Sequence, residues 1–229
     1  MPASSSSLPS PKFLDAGESA IVVEFGKTVD VLLHDRVLAL DAAVNAAHID
    51  GVTETVPTYR SLMVHYDPVR LTREAIVARL QSLVNVESSS RLVAAHRKVP
   101  VCFEPPYSED LESLAQKLGI DAKQIVELFT QREYRLYMYG FLPGFAYLGR
   151  LPEQLQVPRR ETPRSPVPPG AVIVAGEQVV ITGIASPTGW YMIGRTPLRM
   201  FDLQRESAFL FDVGDEVTFT PIDAAAYAQ

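Results

Sequence analysis

The chain has one cysteine, Cys102, among 229 residues. An intrachain disulfide is impossible, and nothing points to an oxidising compartment, so a cytoplasmic location is expected. Cys102 lies in the apolar run KVPVCFE with no histidine beside it, which suits a small buried hydrophobe better than a catalytic thiol. Histidine is scarce too. The four, His34, His48, His65 and His96, lack metal-ligand spacing, and none falls in the β-rich C-terminal half. A zinc-type cluster and a local Ser-His-Asp or Cys-His site in that half are therefore excluded, and no metal is expected. His34 and His48 read as ordinary surface or boundary residues of a helix. No apolar run approaches the ~18 residues that a membrane span needs, so no membrane partner is expected. The opening MPASSSSLPSPKF has neither the basic nor the apolar region of a secretory signal, and its serines and prolines read as a disordered tail over residues 1–11. Positive charge is in deficit, with a net charge of −6, which argues against nucleic acid. The tripeptide GKT at Gly26–Thr28 lacks the earlier glycine of a phosphate loop, because that position is Ile21.

What remains is ordinary globular material, 47% hydrophobic and 21% charged, long enough for one large domain or two small ones. ESAIVVEFG is strand-like. Val29, Leu32, Leu33, Val37, Leu40, Val44 and Ala47 recur at helical spacing in a segment closed by Gly51. VTETVPTY and SLMVHYD are strands, the second placing Leu62, Val64 and Tyr66 on one face. TREAIVARLQSLV is a second helix, capped by Thr72. This β-α-β-β-α order predicts a ferredoxin-like α/β sandwich over residues 12–92, with RKVPVCFE as its last strand or none. The hydrophobic period lapses over 85–91, where a boundary is placed. Residues 93–229 then open with two short helices, one ended by Gly119 and one started by Asp121 with Gln124 at capping-box spacing. YRLYMYG, AVIVA, QVVITGI, WYMIGR, LRMFD, AFLF and EVTFTPI follow as short strands, with Gly176-Glu177 as a hairpin turn and VGDE as another turn. Strands this short and close indicate a barrel or sandwich, and the fold class is α+β.

Two segments stand out. Tyr139 to Gly170, YGFLPGFAYLGRLPEQLQVPRRETPRSPVPPG, is too broken for a helix and too apolar for a linker. Gly140 and Gly144 flank Phe141, Leu142 and Pro143, which specifies a rigid loop with aromatic walls from Tyr139, Phe141, Phe145 and Tyr147. A loop of this length is uncommon unless functional. It lies in a basic island: Arg135 to Arg199 holds seven arginines, no lysine or aspartate and three glutamates, +4 against −10 for the rest. Guanidinium groups suit carboxylates and phosphates, unless acidic residues elsewhere in the chain or a partner take them up. The second segment, SPTGWYMIGRTP, carries the only tryptophan, Trp190, and Arg195. It reads either as a hairpin with a core tryptophan or as the opposite wall of a pocket.

GFLPGFAYL, LP..L..PRR..PR..VPPG, SPTGW and GRTP..MFD, together with VPTYRSLMVHYDP, resemble the family that comprises the B subunit of 5-oxoprolinase, allophanate hydrolase subunit 1 and the kinase A inhibitor, from about Phe13 to Ile222. The resemblance implies a ferredoxin-like N-terminal region and a cyclophilin-like β-barrel similar to a carboxyltransferase domain. It also implies partners of the C and A types of 5-oxoprolinase subunit, with which such chains open 5-oxo-L-proline to glutamate at the expense of ATP; it does not place ATP on this chain. The substrate would be a small carboxylate-bearing lactam or amide. Arg164 and Arg195 are the first candidates to hold its carboxylate or a phosphate, with Arg159 beside them. Loop amides near Gly140 and Gly144 are candidates for oxyanion stabilisation, and Tyr139 and Trp190 for the walls. The alternatives are a regulatory protein that binds a sensor histidine kinase and an allophanate or urea amidolyase-type subunit. The chain departs from the family pattern at Phe129, Ala185, Ser186 and Thr188, which bears on loop geometry and substrate.

Overall fold

A computed structural model describes residues 9–84 and 94–229. The expected boundary at 85–91 and most of the expected tail lie outside the described residues. The chain divides into two compact units, Met1–Val93 and Ala94–Gln229.

The first unit holds strands β1 (Lys12–Asp15), β2 (Ala20–Glu24), β3 (Val52–Pro57) and β4 (Ser61–Tyr66), and helices α1 (Val31–Ala47) and α2 (Arg73–Leu83). The strands form an antiparallel sheet in the order β1-β2-β4-β3. Period-two alternation gives the sheet one apolar face: Ile21, Val23, Leu62, Val64 and Tyr66 pack on Val37, Leu40 and Val44 of α1 and Ile76 and Leu80 of α2. Asp30 starts α1 by accepting from the Leu32 and Leu33 amides at 2.7 and 3.3 Å. Thr72 caps α2 as expected, accepting from Ala75 N–H at 3.3 Å. Helix α1 stops earlier than Gly51: His48 takes the left-handed C-cap conformation at φ 43° and closes on Asn45 O. His34 is fully buried and not a surface residue, because its position falls on the helix face that carries Leu33, Val37 and Leu38. The segment RKVPVCFE adds no strand to this sheet.

That segment becomes β5 (His96–Cys102) of the second unit. It is followed by α3 (Leu111–Leu118), α4 (Ala122–Thr130), β6 (Glu133–Tyr139), β7 (Ala146–Leu148), β8 (Arg164–Val167), β9 (Ala171–Ala175), β10 (Gln178–Ile181), β11 (Ser186–Thr188), β12 (Tyr191–Arg195), β13 (Glu216–Ile222) and α5 (Ala224–Tyr227). Seven strands close a barrel in the order β10-β7-β6-β13-β5-β12-β9, in which β5 and β13 run parallel. Strands β8 and β11 pair as a separate ribbon. The hairpin at Gly176-Glu177 forms as expected, with Ala175 opposite Gln178. LRMFD and AFLF are not full strands and meet only in a bridge between Phe201 and Phe209. Four strands escaped the sequence pattern, β1 in the first unit and β7, β8 and β11 in the second, all at most four residues long.

Alternation decides where the site can form. One core takes a residue from every barrel strand, among them Val99, Leu136, Leu148, Val172, Val174, Val179, Ile193 and Val217, and continues onto α3 and α4. The intervening residues Ala171, Ile173, Ala175, Val180, Trp190 and Met192 form a second apolar layer with Phe145 and Val167. Strands β9, β10 and β12 are thus apolar on both faces, and the outer face needs a cover. Phe129 belongs to the first core: its ring stacks on Phe219 at 4.8 Å and tilts against Tyr134 at 5.2 Å. Cys102 is buried, as expected, and burial raises its thiol pKa.

Candidate functional site

The cover over the outer face is the stretch that opens at Tyr139. Past Gly140 the chain turns within three residues. Phe141 adopts φ 67° and Leu142 N–H donates to Gly140 O at 2.8 Å, a γ-turn. Phe145 N–H donates to Leu142 O and Gly140 N–H to Phe145 O, which completes a tight loop. Gly144, at φ 74°, lies against Phe201 and the Gly183 backbone, and a Cβ on Gly183 would clash with Pro143 O and with Gly144. Only two bare backbones can approach this closely.

The segment from Arg159 to Arg164 is clamped from beneath. Asp110 sits at the N-cap of α3 but does not cap it. Its carboxylate accepts from Arg160 Nη1 at 2.8 Å, Arg164 Nη1 at 2.5 Å and the Met192 amide at 2.8 Å. Glu109 also takes Arg164 Nη2. Burial by itself would lower the Arg164 pKa, but Asp110 and Glu109 outweigh it and raise it. Arg160 N–H donates to Gly189 O at 2.7 Å, which joins this segment to the one that carries Trp190.

Between the two segments lies a cavity of about 170 Å³. Phe141, Phe145, Tyr147 and Arg159 line one side, Pro187, Thr188, Gly189 and Trp190 the other, and Ile173 and Val180 form the floor. The Trp190 ring meets Tyr147 edge to face at 6.2 Å, and the Arg159 guanidinium lies over Trp190 at 5.6 Å. Thr188 Oγ1 accepts from Trp190 N–H at 3.1 Å. Residue 188 stays outside the left-handed region, so threonine fits the position without strain. Burial raises the Tyr147 pKa, and the Arg159 charge opposes that rise. The lining holds one cation, a phenol and a hydroxyl, and no histidine, cysteine or carboxylate. It can bind and orient a small anion, and it carries no general base of its own.

Among the residues expected to form the site, Arg159 and Trp190 meet here. Arg164 is committed to Asp110 and Glu109. Arg195 donates to Pro169 O at 3.1 Å and lies over Tyr227 at 5.6 Å, outside the lining. Tyr139 donates its hydroxyl to Phe211 O at 2.9 Å and packs on Phe209. Gly140 and Gly144 shape the loop without lining the cavity. Sequence reasoning missed Asp110, which is 54 positions from Arg164, and it missed the floor, which only the barrel register defines. A larger hollow of about 330 Å³ lies in the first unit, lined by His48, Asp50 and Arg79 among others. Its charges are of mixed sign, and Asp50 is already paired with Arg70.

This barrel, with its covered outer face, has known counterparts. The carboxyltransferase domain, subdomains C and D, matches residues 11–211. The 5-oxoprolinase B subunit of Escherichia coli O157:H7 is 36% identical over 206 residues, 90% of this chain and 93% of that one. The 5-oxoprolinase B subunit of Bacillus subtilis strain 168 is 30% identical over 226 residues, 92% of each. The crystal structure of TTHA0988 superposes with a TM-score of 0.79 at 34% identity and covers 90% of this chain; this chain spans 40% of that one. The fold is that of a carboxyltransferase-domain protein. Within that class, the chain belongs to the family of the 5-oxoprolinase B subunit. Among its described residues no helix is long and apolar enough to cross a membrane.

Proposed function

We propose that this chain is the B subunit of an ATP-dependent 5-oxoprolinase, acting with partner subunits of the C and A types, and that its barrel pocket holds the lactam. The observation that carries the reading is Arg159. It lies over Trp190 at the wall of a small aromatic pocket, with no carboxylate partner among the described residues. 5-Oxo-L-proline is a compact ring with one carboxylate. The aromatic walls would take the ring and Arg159 the carboxylate. Thr188 and Tyr147 would be left to hydrogen-bond the lactam amide.

The pocket does not fit a nucleoside triphosphate. At about 170 Å³ with one arginine, it falls below the ~300 Å³ at which drug-sized sites begin. ATP chemistry is therefore assigned to the partners. This chain's part is to bind and orient the lactam and to keep water from its ring face. The domain division proposed is a ferredoxin-like unit over 12–92 and a cyclophilin-like barrel over 93–229. In a ferredoxin-like sheet the last strand lies at the edge beside the first. Here β1, from the start of the chain, takes that edge beside β2.

The test is reconstitution with the A and C partners, measuring ATP-dependent glutamate formation. Arg159→Ala is expected to lower kcat/KM about 10- to 100-fold, the effect of one hydrogen bond to a charged group. Arg195→Ala is expected to leave it near wild type. If Arg159→Ala is undiminished, the assignment of the carboxylate to this pocket is wrong.

A further inference from the structure

Phe141 is exposed where a large apolar side chain gains least. The residue is 73% accessible, yet its ring borders the pocket and meets Phe145 edge to face at 5.6 Å. Its backbone is also strained. At φ 67° it is one of two non-glycine residues in the left-handed region among those described, and the other, His48, ends a helix. Glycine would hold this turn with less strain. Strain of this kind persists where the surroundings enforce it, and it gathers at ligand clamps. The enforcement is visible: Gly144 and Gly183 lock the base of the loop backbone to backbone, and three main-chain hydrogen bonds within 140–145 hold its tip. The fold thus fixes a bare aromatic ring at the rim opposite Trp190 and does not bury it.

We infer that Phe141 is a substrate-contacting residue, whose ring closes the open side of the pocket against the face of a small carboxylate-bearing amide. Trp190 and Tyr147 supply the inner wall and Arg159 the charge. Phe141 supplies the outermost wall of the 170 Å³ cavity. The inference rests on the proposed function, since it takes the lactam as the occupant.

The variants are Phe141→Gly, which relieves the backbone, and Phe141→Leu, which keeps apolar bulk. In the reconstituted complex, Phe141→Gly is expected to raise KM for 5-oxo-L-proline about three- to tenfold, the effect of one aromatic face, with Phe141→Leu between. The melting temperature of Phe141→Gly stays at or above wild type, which a structural role would not allow. An unchanged KM overturns the inference. So does loss of co-purification with the C-type partner while the change in Trp190 fluorescence on adding 5-oxo-L-proline persists, because the ring would then be a partner contact. A wild-type complex that makes no glutamate defeats the proposed function instead. The covering role is then decided without substrate by acrylamide quenching of Trp190, the only tryptophan. Stronger quenching in Phe141→Gly supports the cover, and equal quenching overturns it.

Discussion

Replacing Asp110 with alanine tests whether the arginine-rich segment is held by one buried carboxylate. The Asp110 side chain is 9% exposed and the Arg164 side chain 11%, so the pair is screened little by water. Truncation leaves Arg164 with Glu109 alone, which is half exposed, and takes from Arg160 the carboxylate it pairs with. It also removes the acceptor of the Met192 amide on a buried stretch of β12. Breaking a buried ion pair from one side costs about 3–5 kcal/mol, and an orphaned buried amide about 1–3 kcal/mol. The groups share one network, so the two do not simply add, and about 3–5 kcal/mol is expected for the whole. At roughly 2–4 °C per kcal/mol for a chain of this size, the melting temperature falls by roughly 6–20 °C. Trp190 fluorescence is the suitable probe, because the residue lies in the unit that should melt. The same change in an Arg164→Met background should cost clearly less, since one of the stranded charges is already gone. A loss under about 1 kcal/mol, or full additivity with Arg164→Met, would refute the network.

Two further perturbations separate packing from charge. Gly183→Ala forces a methyl group into the Pro143 carbonyl and the Gly144 backbone; overpacking of this kind costs about 1–3 kcal/mol. Because it displaces the 140–144 loop, it should also weaken the Trp190 response to 5-oxo-L-proline, and an undisturbed response would separate the loop from the pocket. Burial raises the phenol pKa of Tyr134, Tyr139 and Tyr147 above the ordinary 10.0. The folded state holds these protons more tightly, so the stability they contribute is complete below pH 10.0 and is lost as pH climbs through the raised values. Ultraviolet titration should show these three ionising only above the exposed tyrosines, together with unfolding. Three ordinary titrations in the folded chain would contradict their burial.

What the sequence made legible was local. The helix starts at Thr72 and Asp121 and the stop at Gly119 form as expected, because each needs only neighbours two to four residues away, though Asp121 caps through the Lys123 amide and not the Gln124 amide of a capping box. Leu62, Val64 and Tyr66 share a face because strand periodicity is local too. The edge strand of the first sheet beside β2, which β1 takes, was not legible. RKVPVCFE has the right pattern for it, but pattern does not choose a partner, and β13 takes that strand into the barrel through a parallel register from His96 to Cys102. The apolar run AVIVA was legible as a strand. It could not say that the outer face would be covered by the loop from Phe141 to Tyr147, since that pairing depends on barrel register.

The basic island shows the limit most clearly. Seven arginines against three glutamates suggested an anion site with Arg164 and Arg195 at its centre. Five of the seven find carboxylates in the fold: Arg135 with Glu216, Arg150 with Glu177, Arg160 and Arg164 with Asp110, and Arg199 with Asp202. All of these carboxylates but Glu177 lie outside the island in sequence, so a local charge count could not see them. Arg159 and Arg195 are left without a carboxylate partner among the described residues, and only Arg159 borders the pocket. The excess charge of the segment therefore serves mostly to anchor it. The part available to a ligand is a single guanidinium, which the same anchoring holds over Trp190.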